Sequence, residues 1–156
     1  MKPILDACCG SRMFWFDKHN PMAIYMDNRT LDDTLCDGRS LQVSPDIVGD
    51  FRHIPFDDES FRLVVFGPPH LLHAGDDSWL AKKYGTLGDD WKVDIKHGFR
   101  ECMRVLKPYG VLIFKWNEEQ VKFSVVKRLF PCQPLFGQRR GKTFWVVFMK
   151  GGAIDG

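Results

Sequence analysis

The feature that most constrains this chain is a series of short apolar runs, rich in β-branched residues, separated by polar stretches. They are Ile4 to Ala7, Ala23 to Met26, Asp46 to Val48, Leu63 to Phe66, Val111 to Trp116 and Phe144 to Met149. Most are continuous rather than alternating, the pattern of strands buried on both faces of a parallel sheet. Helical periodicity lies between them. From about Trp91 to Leu106, the residues Ile95, Phe99, Cys102, Met103 and Leu106 recur on one face. Lys107-Pro108-Tyr109-Gly110 then supplies the basic last turn, proline and glycine that end a helix. Asn117, with Gln120 one turn on, predicts a second helix opened by a capping box. Alternating strands and helices predict an α/β fold built on a mostly parallel, doubly wound sheet. Asn28 to Pro45 and His70 to Asp90 lack regular patterning and read as loops, the second long enough to be functional.

A chain of 156 residues with 44% hydrophobic and 27% charged content suits one domain, expected over 1–150, with 151–156 as a flexible tail. No apolar run is long enough to span a bilayer, and the N-terminal stretch reaches Asp6 before a signal-peptide core could form. The cysteine count is odd, and Cys8 and Cys9 are adjacent, which reads as reduced thiols and a cytoplasmic protein without a membrane partner. The net charge of +2 excludes a chain that coats nucleic acid by bulk charge. His70 and His73 lack a third ligand at metal spacing, so no metal is expected.

In a doubly wound sheet, ligands bind beyond the carboxyl ends of the strands, where strand order reverses. The first run ends in Asp6-Ala7-Cys8-Cys9-Gly10-Ser11, a small-residue turn into a helix. It lacks G-x-G-x-x-G, so a pyrophosphate cradle is unsupported, but its small residues admit a ligand without phosphates. The second run ends at Asp27, and 27 − 6 = 21 residues is the interval to an acid that holds ribose hydroxyls. The third ends at Asp50-Phe51, an acceptor for an adenine amine beside an aromatic ring.

Here the residues carry a resemblance. Ile4-Leu5-Asp6-Ala7-Cys8-Cys9-Gly10-Ser11 resembles the first motif of class I S-adenosylmethionine-dependent methyltransferases, especially the amino-methylating, DNA adenine branch and its small phage-type members. Asp50-Phe51-Arg52-His53-Ile54-Pro55-Phe56 with Ser60 to Phe66, and Cys102 to Leu112, are similar to that family's third to fifth strands. The resemblance spans Ile4 to about Lys150 and implies a Rossmann-like sheet of seven strands with an antiparallel strand at Thr143 to Met149. It implies S-adenosyl-L-methionine as cofactor. The methionine part would lie against Ala7, Cys8, Cys9, Gly10 and Ser11, with Asp6 orienting the turn. Asp27 would hold the ribose and Asp50 the adenine amine, with Phe51 against the ring.

Gly67-Pro68-Pro69-His70 occupies the place of that family's catalytic tetrad, Asp-Pro-Pro-Tyr or Asn-Pro-Pro-Tyr. An exocyclic amine on an aromatic ring is a poor nucleophile, so the tetrad accepts its N–H groups and steers its lone pair toward the methyl. Positioning supplies most of the rate. Gly67 stands where the first acceptor should be. A carboxylate from the following loop, Asp76 or Asp77, replaces it; or the chain binds cofactor or nucleic acid without efficient turnover; or the site is an inactivated version of an active one. Substrate contacts are expected from Lys82, Lys83 and Tyr84, from Arg139, Arg140 and Lys142, and from Trp116 or Trp79 stacking on an extruded base. The implied reaction is DNA methylation at adenine N6, with DNA before RNA as partner. A methyltransferase for RNA or a small molecule is the alternative.

Overall fold

The structure, a computed structural model, describes residues 1–34, 37–72 and 86–152. In chain order its elements are β1 (Ile4–Asp6), β2 (Ala23–Asp27), β3 (Leu31–Thr34), β4 (Ser40–Val43), β5 (Ile47–Val48), β6 (Phe61–Phe66), α1 (Trp91–Val105), β7 (Leu106–Asn117), α2 (Phe123–Lys127), β8 (Phe136–Arg140) and β9 (Thr143–Met149). Seven strands form one sheet in the order β5-β2-β1-β6-β7-β9-β8, and β3 pairs with β4 in a separate hairpin. The neighbours from β5 to β7 are parallel. β9 runs antiparallel to both β7 and β8. The expected Rossmann-like sheet with an antiparallel C-terminal strand is therefore present. The chain enters at β1, moves outward through β2 and β5, and returns to β6 on the other side. The order reverses between β1 and β6, and a crevice opens beyond their carboxyl ends.

Burial accounts for the strands. Leu5, Phe61, Val64, Phe66, Leu112, Phe114 and Trp116 are removed from solvent within the sheet. The periodic face of α1 buries Ile95, Phe99, Cys102 and Val105 against it. Phe99 stacks on Phe130 at 4.4 Å and meets Phe148 edge-on at 5.0 Å, so the helix docks on an aromatic layer rather than on aliphatic ridges. Arg104 ties the helix end to the segment before β6, donating to the carbonyls of Ile54 and Phe56 at 2.9 Å each. None of the described helices is long and apolar enough to cross a membrane.

Local structure departs from the expectations in four places. Residues 7–22 form turns in place of a helix after β1, with Gly10 and Arg12 both at positive φ. A left-handed residue every second position cannot sustain helical hydrogen bonding. The unpatterned Asn28 to Pro45 stretch contains the β3–β4 hairpin, in which Leu41 and Val43 point inward and alternate with exposed neighbours. Lys107 to Gly110 does not separate helix from strand; it bulges out opposite Arg62 in a strand that begins at Leu106. Asn117 opens no capping box. β7 runs through it, its Oδ1 accepts from the Glu119 N–H at 2.9 Å, and Gln120 Oε1 accepts from the Leu72 N–H instead.

Candidate functional site

The crevice at the switch point is a cleft of about 430 Å³. Its walls come from the turn after β1, from Asp27, Asn28 and Arg29 after β2, from Gly49 and Phe51 after β5, from Gly67 to His70 after β6, and from Lys115 and Asn117 of β7. Every contributor is the carboxyl end of a parallel strand or the loop that follows it, the place this topology reserves for ligands.

The turn after β1 is held by two carboxylates of different standing. Asp6 is fully buried beneath it, accepting from the Cys8 N–H at 3.3 Å and from Trp15 Nε1 at 2.8 Å. Burial pushes its carboxyl up to about 7, against the pull of the Trp15 and Cys8 hydrogen bonds, with the charge of Asp27 adding to the rise. Asp27 faces the cleft. Its Oδ2 accepts from the Gly10 N–H at 2.8 Å and its Oδ1 from the Arg29 N–H at 3.2 Å, and Arg29 Nε stands 3.7 Å from Oδ1. Gly10 has φ of +52°, a conformation that a side chain would strain, and this directs its N–H to Asp27. The hydrogen bond ties the turn after β1 to the end of the adjacent strand β2, on one side of the crevice. Burial also raises the thiols, Cys9 to about 12 and Cys8 well above the ordinary value, so neither is a thiolate nucleophile at neutral pH.

Asp50 is placed differently. Arg52 grips it through Nη2 at 2.6 Å and its backbone N–H at 2.8 Å, and Arg52 Nη1 reaches Asp94 of α1 at 3.4 Å. These ties hold its carboxyl below the usual range and anchor the loop to the helix, and Asp50 is not among the wall residues. Its neighbour Phe51 does line the cleft, its ring 5.2 Å from that of Phe66 and pressed over Gly98 of α1. A Cβ at Gly98 would stand 2.6 Å from Phe66 Cζ and 2.7 Å from Phe51 Cδ1, so this helix glycine makes room for both rings.

The Gly67 to His70 turn forms the opposite wall. A Cβ at residue 67 would stand 2.8 Å from Cζ of Phe14 and 2.9 Å from its Cε2. The place of a side chain at Gly67 is taken by the Phe14 ring. That ring meets Trp145 edge-on at 5.0 Å and carries Lys115 Nζ 4.4 Å from its centre. His70 is driven down to about 4 by burial, then by the charge of Lys115, and is a neutral imidazole at physiological pH.

Of the remaining expected contacts, Trp116 belongs to the core. Its ring is 1% exposed, and its Nε1 donates to the Val121 carbonyl at 2.9 Å, so it offers no stacking surface to the cleft. Its neighbours Lys115 and Asn117 point the other way and do line it. Arg139, Arg140 and Lys142 lie on β8 and the turn into β9, at the cleft end of the sheet because Thr143 pairs with Asn117. Arg139 stands 3.4 Å from Glu118, and Lys142 donates to Glu119 at 2.6 Å. Lys82, Lys83, Tyr84, His73, Asp76, Asp77 and Trp79 lie outside the described residues, as do 153–156 of the expected tail. Sequence reasoning missed Met13, Asn28, Arg29, Gly49 and Thr86 as wall residues. Arg29, two residues past a strand-ending acid, carried a usable signal; the others carried none.

No protein-family model and no curated protein matches the chain. Its fold is similar to that of several solved structures. The PH0226 protein of Pyrococcus horikoshii is 16% identical with a TM-score of 0.59, over 95% of this chain and 81% of that one. A SAM-dependent methyltransferase of Methanosarcina mazei is 12% identical with a TM-score of 0.52, over 97% and 94%. A protein of Haloferax volcanii, described as a methyltransferase and solved in complex with the Trm112 methyltransferase activator, is 14% identical with a TM-score of 0.56, over 96% and 82%. The fold is thus one used by SAM-dependent methyltransferases.

Proposed function

We propose that this chain is an S-adenosylmethionine-dependent methyltransferase whose cofactor lies in the switch-point cleft. The observation that carries the reading is the Asp27–Gly10 hydrogen bond across the ends of β1 and β2, which sets a carboxylate at the head of a tight turn with no phosphate cradle. The donor set fits the cofactor. Asp27 in the wall favours a sulfonium cation and has an acceptor edge for ribose hydroxyls. Phe51 offers a flat apolar surface to the adenine. When bound, the cofactor supplies an electrophilic methyl group. The chain's own task is to fix the turn through Asp6 and Trp15 and to present the acceptor from the Gly67–His70 and Lys115–Asn117 side. Free thiols at Cys8, Cys9, Cys102 and Cys132 support a reducing, cytoplasmic setting.

Calorimetric titration with S-adenosylmethionine tests this. Saturable one-to-one binding, weakened at least tenfold in Asp27→Ala, is expected. Equal binding by wild type and Asp27→Ala would contradict the placement, and no binding would contradict the function.

The narrower reading implied by the resemblance is transfer to adenine N6 in DNA. It draws on the Pro68-Pro69-His70 turn in the wall and on Arg139, Arg140 and Lys142 at the same end of the sheet. It lacks an acceptor for the amine at residue 67. Transfer of labelled methyl to an adenine-containing duplex, and not to one lacking adenine, is the result it requires.

A further inference from the structure

β8 ends the seven-stranded sheet, and all five of its residues are exposed. An edge strand turns every second N–H and C=O outward, where they can pair with another chain. Edges are normally guarded by proline, lysine, a bulge or sheer shortness. The other edge of this sheet, β5, is two residues long and is guarded in that last way. β8 contains no proline or lysine, and its register with β9 runs from Phe136 to Arg140 without a shift. Its first end is apolar as well as open: Leu135 is 60% and Phe136 66% exposed. Phe136 lies opposite Val147, and Val147 opposite Ile113, so its side chain carries an apolar row across the sheet to the edge.

We propose that β8 pairs antiparallel with β8 of a second copy of this chain, about a two-fold axis through Gln138, so that two sheets join into one.

The order of residues in the strand selects both the partner and the register. Phe136-Gly137-Gln138-Arg139-Arg140 is apolar at one end and basic at the other. Antiparallel pairing with itself sets each end against its opposite. Centred on Gln138, Phe136 of one copy faces Arg140 of the other on the same side of the sheet, an aromatic ring beside a guanidinium. Arg139 then faces Gly137, which has no side chain to obstruct it. Arg139 is also turned back on its own chain, 5.3 Å from the Phe144 ring centre and 3.4 Å from Glu118. Sliding the axis to Arg139 or Arg140 would set arginine against arginine, and like charges directly opposite destabilise a sheet.

The test begins with sedimentation equilibrium of the full chain. At concentrations on the order of 100 µM, above the micromolar range in which standard-sized interfaces associate, a dimer is expected. Phe136→Lys sets a cation against Arg140 of the second copy and is expected to weaken the dimer at least tenfold. Val93→Lys, at a residue of α1 that is 51% exposed, is expected to leave it intact. Cross-linking with copper phenanthroline reads the register, in a Cys132→Ser parent that serves as the blank because Cys132 is exposed. Gln138→Cys places two thiols on the axis with Cα atoms about 4.5–5.5 Å apart, inside the span of about 4.4–6.8 Å that a disulfide bridges. Arg140→Cys places them four residues apart along the pair, about 13 Å, which a disulfide cannot bridge. Gln138→Cys is therefore expected to cross-link and Arg140→Cys is not. A monomeric wild type overturns the inference, and so does a dimer indifferent to Phe136→Lys or one in which the two cysteine variants cross-link alike. The wild-type measurement stands even where a variant fails to fold. None of these readouts involves the cofactor, so the outcome is independent of the methyltransferase reading.

Discussion

Replacing Gly67 by alanine probes the acceptor side of the cleft without touching cofactor contacts. The added methyl would stand 2.8 Å from Phe14 Cζ. Carbon pairs rest at about 3.5–4.0 Å, so the ring must withdraw by roughly 1 Å. The ring then gives up part of its edge-on contact with Trp145 at 5.0 Å and its shelf beneath Lys115 at 4.4 Å. Such an aromatic pair contributes about 0.5–1.5 kcal/mol and a part-exposed cation–π contact about 0.5–1 kcal/mol. Against this, alanine stiffens the unfolded chain and returns about 0.4–1 kcal/mol. In wild type, Gly67→Ala is therefore expected to destabilise by about 1 kcal/mol. In a Phe14→Ala background the methyl enters vacated space and the sign reverses, to a stabilisation of a few tenths to about 1 kcal/mol. Urea titration of the wild type, both single variants and the double variant gives the coupling directly, expected at about 1–2 kcal/mol. A coupling below about 0.5 kcal/mol, or a Gly67→Ala change of the same sign in both backgrounds, would refute the reasoning that Phe14 fills the place of a side chain at 67.

Other variants follow from the same geometry. Asp6 titrates at about 7 when folded against 3.8 ordinarily, so the folded state binds the proton more tightly. The resulting stability, on the order of 4 kcal/mol, is fully present below pH 3.8 and is lost as pH rises to about 7; Asp6→Asn should flatten that slope in urea titrations between pH 4.5 and 7.5. Gly10→Ala forces a side chain into φ of +52° and should cost about 1–2 kcal/mol, together with cofactor affinity; Gly10→Asn, which tolerates that region better, should cost less in thermal melts. Arg104→Leu removes donors from the carbonyls of Ile54 and Phe56 and should cost about 2–4 kcal/mol, with S-adenosylmethionine affinity at 25 °C unchanged in the folded protein.

The parallel strands were legible because burial on both faces writes an unbroken apolar run, and Phe61–Phe66 and Thr143–Met149 are little more than those runs extended. α1 was legible because Ile95, Phe99 and Cys102 repeat at helical spacing. β8 was not, since an edge strand with every residue exposed carries no hydrophobic pattern, and Gln138-Arg139-Arg140 reads as a turn. The absent helix after β1 escaped for a different reason. Whether Arg12 adopts φ of +62° is decided by tertiary contacts, among them its guanidinium 3.9 Å above the Tyr25 ring, and no local propensity announces it. In the site, Asp27 followed from its spacing to Asp6, but the capture of Asp50 by Arg52 depends on geometry that spacing does not encode. Gly67 was visible as a departure from a tetrad. That Phe14 occupies its place could be read only from coordinates, because the two residues are joined by a fold and not by a motif.

The most direct test of the central claim is a crystal structure with S-adenosylhomocysteine. The account predicts the ligand along the Ala7 to Ser11 turn, its ribose hydroxyls on Asp27 and its adenine beside Phe51, with the thioether directed toward Gly67 and Lys115. A cleft that remains without ligand, or a ligand bound away from Asp27 and Gly10, would contradict it.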